Sequence, residues 1–413
     1  MLHKISRYLI VIVTVFVLSN VLPHIYNTLF DVRIDLPFVS YSIINEDFII
    51  SRRENGETVY TDTKGNFLER HTVDELQPYL FHYQLTNDGR MPDTLMGEKT
   101  DLTAIAQEFF YNNIESYMYT RPDYGLYILF ESQSGRMGVE YPEDFFRLGK
   151  GIEFINCHTN KVNKEKSRVF TQAMAEAGFA FPAQKVAGIP FDFKSIDDGN
   201  FLTDSNGELY HLKMVKGEPY FVKIAIPQDM VIKHIDCVDN RNYREFLAYI
   251  ITENNKLFIL KTDDYSLTEL PIPDYIPEKQ RFTLIGDYKT RHVSLTGNDY
   301  LKAYAIDKNY NLIDSYSESW PVKEDMIQGK VAGILFPFTL NFWARDTQFL
   351  KIWLSGYKGY GWILLNVFFV GLFVFLCIRN KKTFKNNIID LILVALSGIF
   401  GFLAVTIFPN KEY

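Results

Sequence analysis

Apolar runs near the two ends constrain this chain more than any other feature. Residues 8–22 (YLIVIVTVFVLSNVL) follow Lys4 and Arg7, and a basic start feeding an apolar run is either a secretory signal or an uncleaved membrane anchor. Signal cleavage wants small residues, yet the first alanine is Ala104, and the run is followed by Pro23, His24, Ile25 and Tyr26. The uncleaved anchor, residues 1–23, is the favoured reading. Towards the other end, residues 362–378 carry no charge and, extended back to 357, are long enough to cross the roughly 30 Å hydrocarbon layer. Residues 388–408 form a third run, whose one charge is Asp390. Three transmembrane helices are expected, at 1–23, 357–378 and 388–408.

The connector 379–387 contains Arg379, Lys381, Lys382 and Lys385 and no acid, which marks it as cytoplasmic. Lys4 and Arg7 say the same of the N-terminus. Residues 24–330 then form a periplasmic β-rich domain and 409–413 a short periplasmic tail, with the chain in a bacterial inner membrane. Between domain and second span, 331–356 is rich in tryptophan and apolar residues but too short to span. It reads as an interfacial or re-entrant collar, or else as a buried core segment. Trp343, Trp353 and Trp362 are the candidate membrane-interface residues, because the indole ring is apolar and its N–H can stay wet at headgroup depth. Asn366 and the pair Ser397/Gly401 are candidate helix-packing residues. An amide in lipid seeks a partner, and small residues four apart let helices approach. Such packing serves either another membrane protein or the chain's own helices. Asp390, beside Lys385, reads as a helix-start charge rather than part of a proton path.

Charge divides along the same lines. Of 43 Lys+Arg and 50 Asp+Glu, residues 24–378 hold 36 and 48, a net of about −12. Nucleic acid is thereby excluded as a partner, since phosphate binding needs a basic surface. The 15% aromatic content argues against a disordered or coiled-coil chain. There are three cysteines; Cys157 and Cys237 could form one disulfide, which is no disulfide scaffold.

Strand signals dominate the middle. Residues 48–52 and 58–62 flank Asn55-Gly56, a pair that takes the positive φ angles of a tight hairpin. Similar hairpins are expected at 127–131/137–141, 201–203/209–214, 247–252/257–261 and 301–306/312–316. The segments starting at Leu209, Leu257 and Leu301 resemble one another at spacings of 48 and 44 residues, close to one propeller blade. The fold expected is a mainly β outer domain, β-propeller-like or a β-sandwich, with helical inserts. Those inserts are a Thr72-x-x-Glu75 capping box opening a helix to residue 84, an amphipathic helix over 101–119, and a helix over 163–177 closed by Gly178.

No phosphate-binding loop, nucleophile elbow, H-E-x-x-H or C-x-x-C occurs. No cofactor and no catalytic residue is assigned. Weak alternatives are a metal site at His234, Asp236 and Cys237, a calcium loop at Asp204, Asn206 and Glu208, and carboxylates for glycan cleavage at Asp123, Glu140, Glu143 and Asp144. In each case an ordinary strand, turn or acidic surface explains the same residues.

At 84–94 (QLTNDGRMPDT), and again at Phe201-Leu202-Thr203-Asp204 with 212–217 (LKMVKG), the chain resembles an uncharacterised Bacteroidota family, domain of unknown function 4857. The resemblance implies an inner-membrane anchor and genes beside ABC-transporter components, with no established functional residue. The leading expectation is a non-catalytic accessory subunit of an ABC-type transport or envelope complex. Its periplasmic domain would bind substrate or partner, and its helices would dock on a permease. The alternatives are a membrane-tethered hydrolase-like enzyme acting on glycans or peptides, and a periplasmic sensor.

Overall fold

A computed structural model describes residues 2–30, 34–120, 122–136, 138–194, 196–240, 243–342 and 349–410. Two compact units result: a body, Pro37–Glu318, and a helical unit made of Met1–Leu36 with Ser319–Tyr413. Nine α-helices lie among the described residues: α1 Leu2–Leu29, α2 Arg70–Leu76, α3 His82–Asn87, α4 Leu102–Gln107, α5 Lys164–Glu176, α6 Ile327–Leu335, α7 Gly361–Arg379, α8 Phe384–Ser397 and α9 Ile399–Ile407.

The body is mainly β. Its sheets are antiparallel meanders: four strands within 38–68, four within 185–224, four within 232–269, and four within 281–319 joined at the edge by Phe110–Ile114. A two-stranded hairpin, Asp144–Leu148 with Ile152–Asn156, stands apart. The repeat read in the sequence has a structural counterpart. Leu209–Val215, Leu257–Lys261 and Tyr300–Asp307 are each the third strand of a four-stranded meander. Buried side chains join the sheets in series. Phe154, Phe170 and Leu212 link the 144–156 hairpin, α5 and the 185–224 sheet. Phe201, Ile235 and Leu247 link that sheet to the next, and Tyr249, Phe282 and Val293 link the next to the last. The backbone N–H of Tyr41 donates to His292 Nδ1 at 2.8 Å, tying the first sheet to the last. Every sheet is open, and among the described residues there is no closed propeller or barrel.

Local signals account for several elements. Asn55 and Gly56 have φ of 50° and 90° and reverse the chain between Asp47–Glu54 and Glu57–Thr61. Asn163 caps α5 by accepting from the Lys166 N–H, and Gly178, φ 82°, follows its end. Two expectations fail in the body. The 101–119 helix stops at Gln107, because Phe110 and Ile114 are recruited as an edge strand against Arg281–Gly286 and bury in the core. Pairing with a waiting sheet edge outweighs the helical period. The 127–131/137–141 hairpin is replaced by isolated bridges, Tyr127 to Phe146 and Glu131 to Met214; Met137 lies outside the described residues. The capping box also shifts, since α2 begins before Thr72 and ends ahead of Pro78.

In the helical unit, α1 over 26 residues and α7 over 19 are long and apolar enough to cross a membrane. The third expected span, 388–408, is not one helix. Gly398, at φ 56° and ψ −125°, divides it into α8 and α9 of 14 and 9 residues. At 1.5 Å per residue these reach about 21 and 14 Å, short of a bilayer core. That backbone conformation strongly favours glycine, so the apolar run carried the composition of a span without its geometry.

Candidate docking groove and helical-unit polar contacts

A cleft of about 910 Å³ lies in the body between α5 and the 144–156 hairpin. Helix α5 buries Phe170 and Met174. It turns Ser167 and Thr171 towards the hairpin, where their hydroxyls accept the N–H groups of Phe154 (2.9 Å) and Ile152 (3.1 Å). The helix thus occupies a strand edge that would otherwise expose unpaired donors. Gly149-Lys150-Gly151 turns the hairpin, and Gly151 lies against Thr171, where a Cβ would crowd the hydroxyl. Leu148, Ile152, Val162 and Ala175 line the groove, and Arg147, Lys150, Lys164 and Arg168 edge it against one acid, Glu153.

Arg147 pairs with Glu153 at 2.6 Å and Arg168 with Glu165 at 2.6 Å. Both pairs are solvent-exposed and contribute little stability, and the Arg168 guanidinium holds the Glu165 carboxyl below its ordinary value. Among the described residues, Lys150 and Lys164 have no hydrogen-bond or ion-pair partner. A cationic, partly apolar groove on an acidic body is suited to an anionic ligand with apolar side chains. Sequence reading passed over these four residues because basic side chains 21 positions apart look like ordinary solvated surface. The pair Lys164 and Arg168, one helical turn apart beside a Gly-Lys-Gly turn, was the available signal.

Buried polar groups elsewhere in the body are structural. Lys194 is buried, donates to Asp197 at 2.5 Å and to the Ile189 carbonyl at 2.7 Å, and lies 4.2 Å from the Phe130 ring centroid. Burial raises the Asp197 carboxyl above its usual range despite that ammonium. His211 stacks on Phe201, its Nε2 bonding the Asp198 carbonyl and its Nδ1 meeting the Tyr265 hydroxyl. Burial pushes the imidazole down to about 3. The cavity beside Lys194 and Asp197 and another beside Gln77 and Asp287 each hold about 10 Å³, far below ligand size.

The weak chemical candidates resolve into local structure. His234, Asp236 and Cys237 lie on the strand Ile232–Cys237, with the His234 ring edge-on to Tyr119. No metal-holding group of three occurs among the described residues. Asp204 accepts from the N–H groups of Asn206 and Glu208, as a turn requires. Asp144 pairs with Lys166, Glu140 with Arg136, and Asp123 with Tyr127. Cys157 and Cys237 are free thiols, so the disulfide considered above is absent.

In the helical unit, Trp353 lies on the short strand Trp353–Ser355 with the Lys351 ammonium 5.6 Å from its ring, and Trp362 opens α7. Trp343 lies outside the described residues. The helix-packing candidates are engaged within the chain. Asn366 is buried and donates to the Ala395 carbonyl at 3.2 Å, and its Oδ1 fills the place a Cβ on Gly398 would take. Ser397 bonds the Leu393 carbonyl at 2.6 Å, and Gly401 lies against both.

The contact that sequence reading missed is Arg7 with Asp390. The guanidinium donates from Nη1 and Nη2 to the two carboxylate oxygens at 2.9 and 2.7 Å, and from Nε to the Phe408 carbonyl at 2.9 Å. The Asp390 side chain is 2% exposed. Its partner stands 383 positions away, beyond any local pattern.

A family model described as Domain of unknown function (DUF4857) matches residues 38–306. No curated protein matches. Among solved structures, one titled "Structure of Dos1 propeller" is similar at 12% identity and a TM-score of 0.25, covering 68% of this chain. The match spans 60% of that chain.

Proposed function

On the premise that the chain belongs to the DUF4857 family, we propose that it is a membrane-tethered, non-catalytic binding subunit of an inner-membrane transport or envelope complex. Its body engages a partner, and its helices dock beside a permease of the ABC type. The groove edged by Arg147, Lys150, Lys164 and Arg168 carries the reading. It is open, cationic and partly apolar, features that suit holding an acidic segment of a partner more than enclosing a small substrate. Lys150 and Lys164 supply the charge, and the Leu148 and Val162 side chains supply apolar contact.

In this reading the body lies on the periplasmic side and the basic connector 379–387 on the cytoplasmic side, as the positive-inside rule requires. The four-stranded meanders act as blades of an open, propeller-like array. With no cytoplasmic domain in the connector, any energy for transport comes from another chain.

Affinity purification from gently solubilised membranes tests the proposal. Permease or ATPase subunits are expected with the wild-type chain. A Lys150→Glu/Lys164→Glu variant should recover at least tenfold less of whatever contacts the groove while folding normally. Recovery of the chain alone would refute the assignment, and an unchanged partner set in the variant would remove the groove from it.

A further inference from the structure

We infer that residues 384–410 form a re-entrant helical hairpin, entering and leaving the bilayer on the side of the basic connector 379–387. The residues after Ile407 then share that side with Arg7 instead of lying across the membrane from it. A continuous helix over 388–408 would be about 31 Å long at 1.5 Å per residue and would carry its two ends to opposite surfaces. The hydrogen bonds do not permit that separation. Lys382 Nζ donates to the Asn410 carbonyl at 3.0 Å, and Asn410 Nδ2 donates to the Asn386 carbonyl at 2.8 Å. Arg7 spans from Asp390, in the first half of α8, to the Phe408 carbonyl just past α9. The start of α1, the connector, the start of α8 and the end of α9 therefore meet at one end of the helical unit.

The hairpin tip is built for an apolar surrounding. A helix broken inside lipid leaves backbone groups that must be satisfied by protein. Here the Gly398 N–H returns to the Val394 carbonyl, and the Asn366 amide from α7 takes the Ala395 carbonyl. Glycine is required twice over at 398, for its positive φ and for the room Asn366 occupies. Beyond the tip, Phe336 and Phe338 pack on Phe400 with centroids 5.8 and 5.5 Å apart. Asn20 of α1 donates to the Leu340 carbonyl at 2.8 Å. The segment after α6 thus fills the length that the hairpin does not reach, and two partial crossings replace one complete span.

The basic residues orient the arrangement. Arg379, Lys381 and Lys385 are exposed at the convergent end, and Asp390 is neutralised by Arg7. That end belongs on the cytoplasmic side. The same geometry makes α1 a permanent part of the fold, because its removal would leave Asp390 buried without its cation.

Cysteine accessibility in the full chain decides the matter, with Cys157, Cys237 and Cys377 all replaced by serine and single cysteines introduced as Pro409→Cys or Lys381→Cys. In sealed vesicles of defined orientation, a membrane-impermeant maleimide should modify both from the same face, each at least tenfold faster from the cytoplasmic than from the periplasmic face. Modification of Pro409→Cys from the face opposite Lys381→Cys overturns the inference. A reporter fused after Tyr413 gives an independent two-way reading: cytoplasmic fluorescence supports the hairpin, and periplasmic phosphatase activity overturns it. An Arg7→Asp/Asp390→Arg exchange should restore the chain level lost in either single variant. Failure of the exchange, together with opposite-face modification, would remove the clasp as well as the hairpin.

Discussion

Arg291 in the body and Arg7 in the helical unit each pair with a carboxylate, but their surroundings differ. Arg291 is fully buried and pairs with Glu245 at 2.9 Å. It also donates to the Asp287 and Thr290 carbonyls and lies near the rings of Phe110 and Tyr243. Glu245 accepts in addition from the Tyr310 hydroxyl at 2.6 Å. Arg7 makes a two-pronged bond to Asp390 and one more to a carbonyl, and its side chain stays 16% exposed. The body thus surrounds its charge with a network whose members depend on each other, whereas the helical unit closes a single clasp between distant segments. A network resists removal of the whole pair, because a carbonyl and a hydroxyl are left behind without the partners they had. A clasp tolerates removal of both halves, since apolar side chains can take their place.

Truncating one partner should have the largest effect. Arg7→Met strands the buried Asp390 carboxylate and Arg291→Met takes the cation from the partly buried Glu245, and a loss approaching about 3–5 kcal/mol is expected for such changes. Thermal unfolding of the detergent-solubilised chain measures it, with maleimide reaction of Cys237 reporting the body and of Cys377 the helical unit. The double changes sharpen the contrast. Arg7→Met/Asp390→Leu should recover most of the loss, while Arg291→Met/Glu245→Leu should not, because the Tyr310 hydroxyl and the Asp287 carbonyl then lack their partners. Equal recovery in both would erase the distinction.

Glycine substitutions come next. Gly398→Ala meets both a positive φ and the Asn366 side chain, so roughly 1–3 kcal/mol or more is expected from the helical unit. Gly56→Ala, at φ 90° with open space around it, should cost about 1 kcal/mol in the body. If the two cost the same, the packing of Asn366 against the hairpin tip contributes nothing.

Acid should weaken the body through His211. Its folded-state pKa, about 3, lies below the ordinary 6.5 because burial disfavours the cation. As pH falls, the unfolded chain takes up the proton first. The contribution of the neutral imidazole is therefore whole above pH 6.5 and is lost progressively between 6.5 and 3. Denaturant titrations at pH 7.5 and 5 should show a lower midpoint at pH 5, and His211→Gln should flatten that limb. Asp287 acts further down. Burial alone would raise its carboxyl, but bonds from His292 and from the Thr290 and Lys289 N–H groups hold it below 3.8. Its contribution is present above 3.8 and disappears as pH drops through the lowered value.

What was legible in the sequence was local. Asn55-Gly56, Asn163 with Gly178, and the leucine-led repeats each act over a few residues, and each became the hairpin, helix or third strand that its chemistry favours. The failures were places where a distant partner competed. Residues 110–114 had helical spacing, but a sheet edge made of Arg281–Gly286 offered five paired residues. Residues 388–408 had the apolarity of a span, but Asn366, Gly398 and Asn410 had partners only a folded chain could supply. The groove belongs with these failures, because its cations come from a hairpin and a helix that the core brings together.

The sequence by itself determined that both ends of the chain are apolar, that the middle is acidic and β-rich, and where turns and caps would fall. These follow from transfer free energies and short-range backbone preferences, which act wherever the residues stand. The tertiary structure alone decided which side chain neutralises Asp390, that the last apolar run doubles back at Gly398, and that four basic residues edge one groove. Each of those depends on contacts between segments far apart in the chain, and such contacts exist only once the intervening residues have folded.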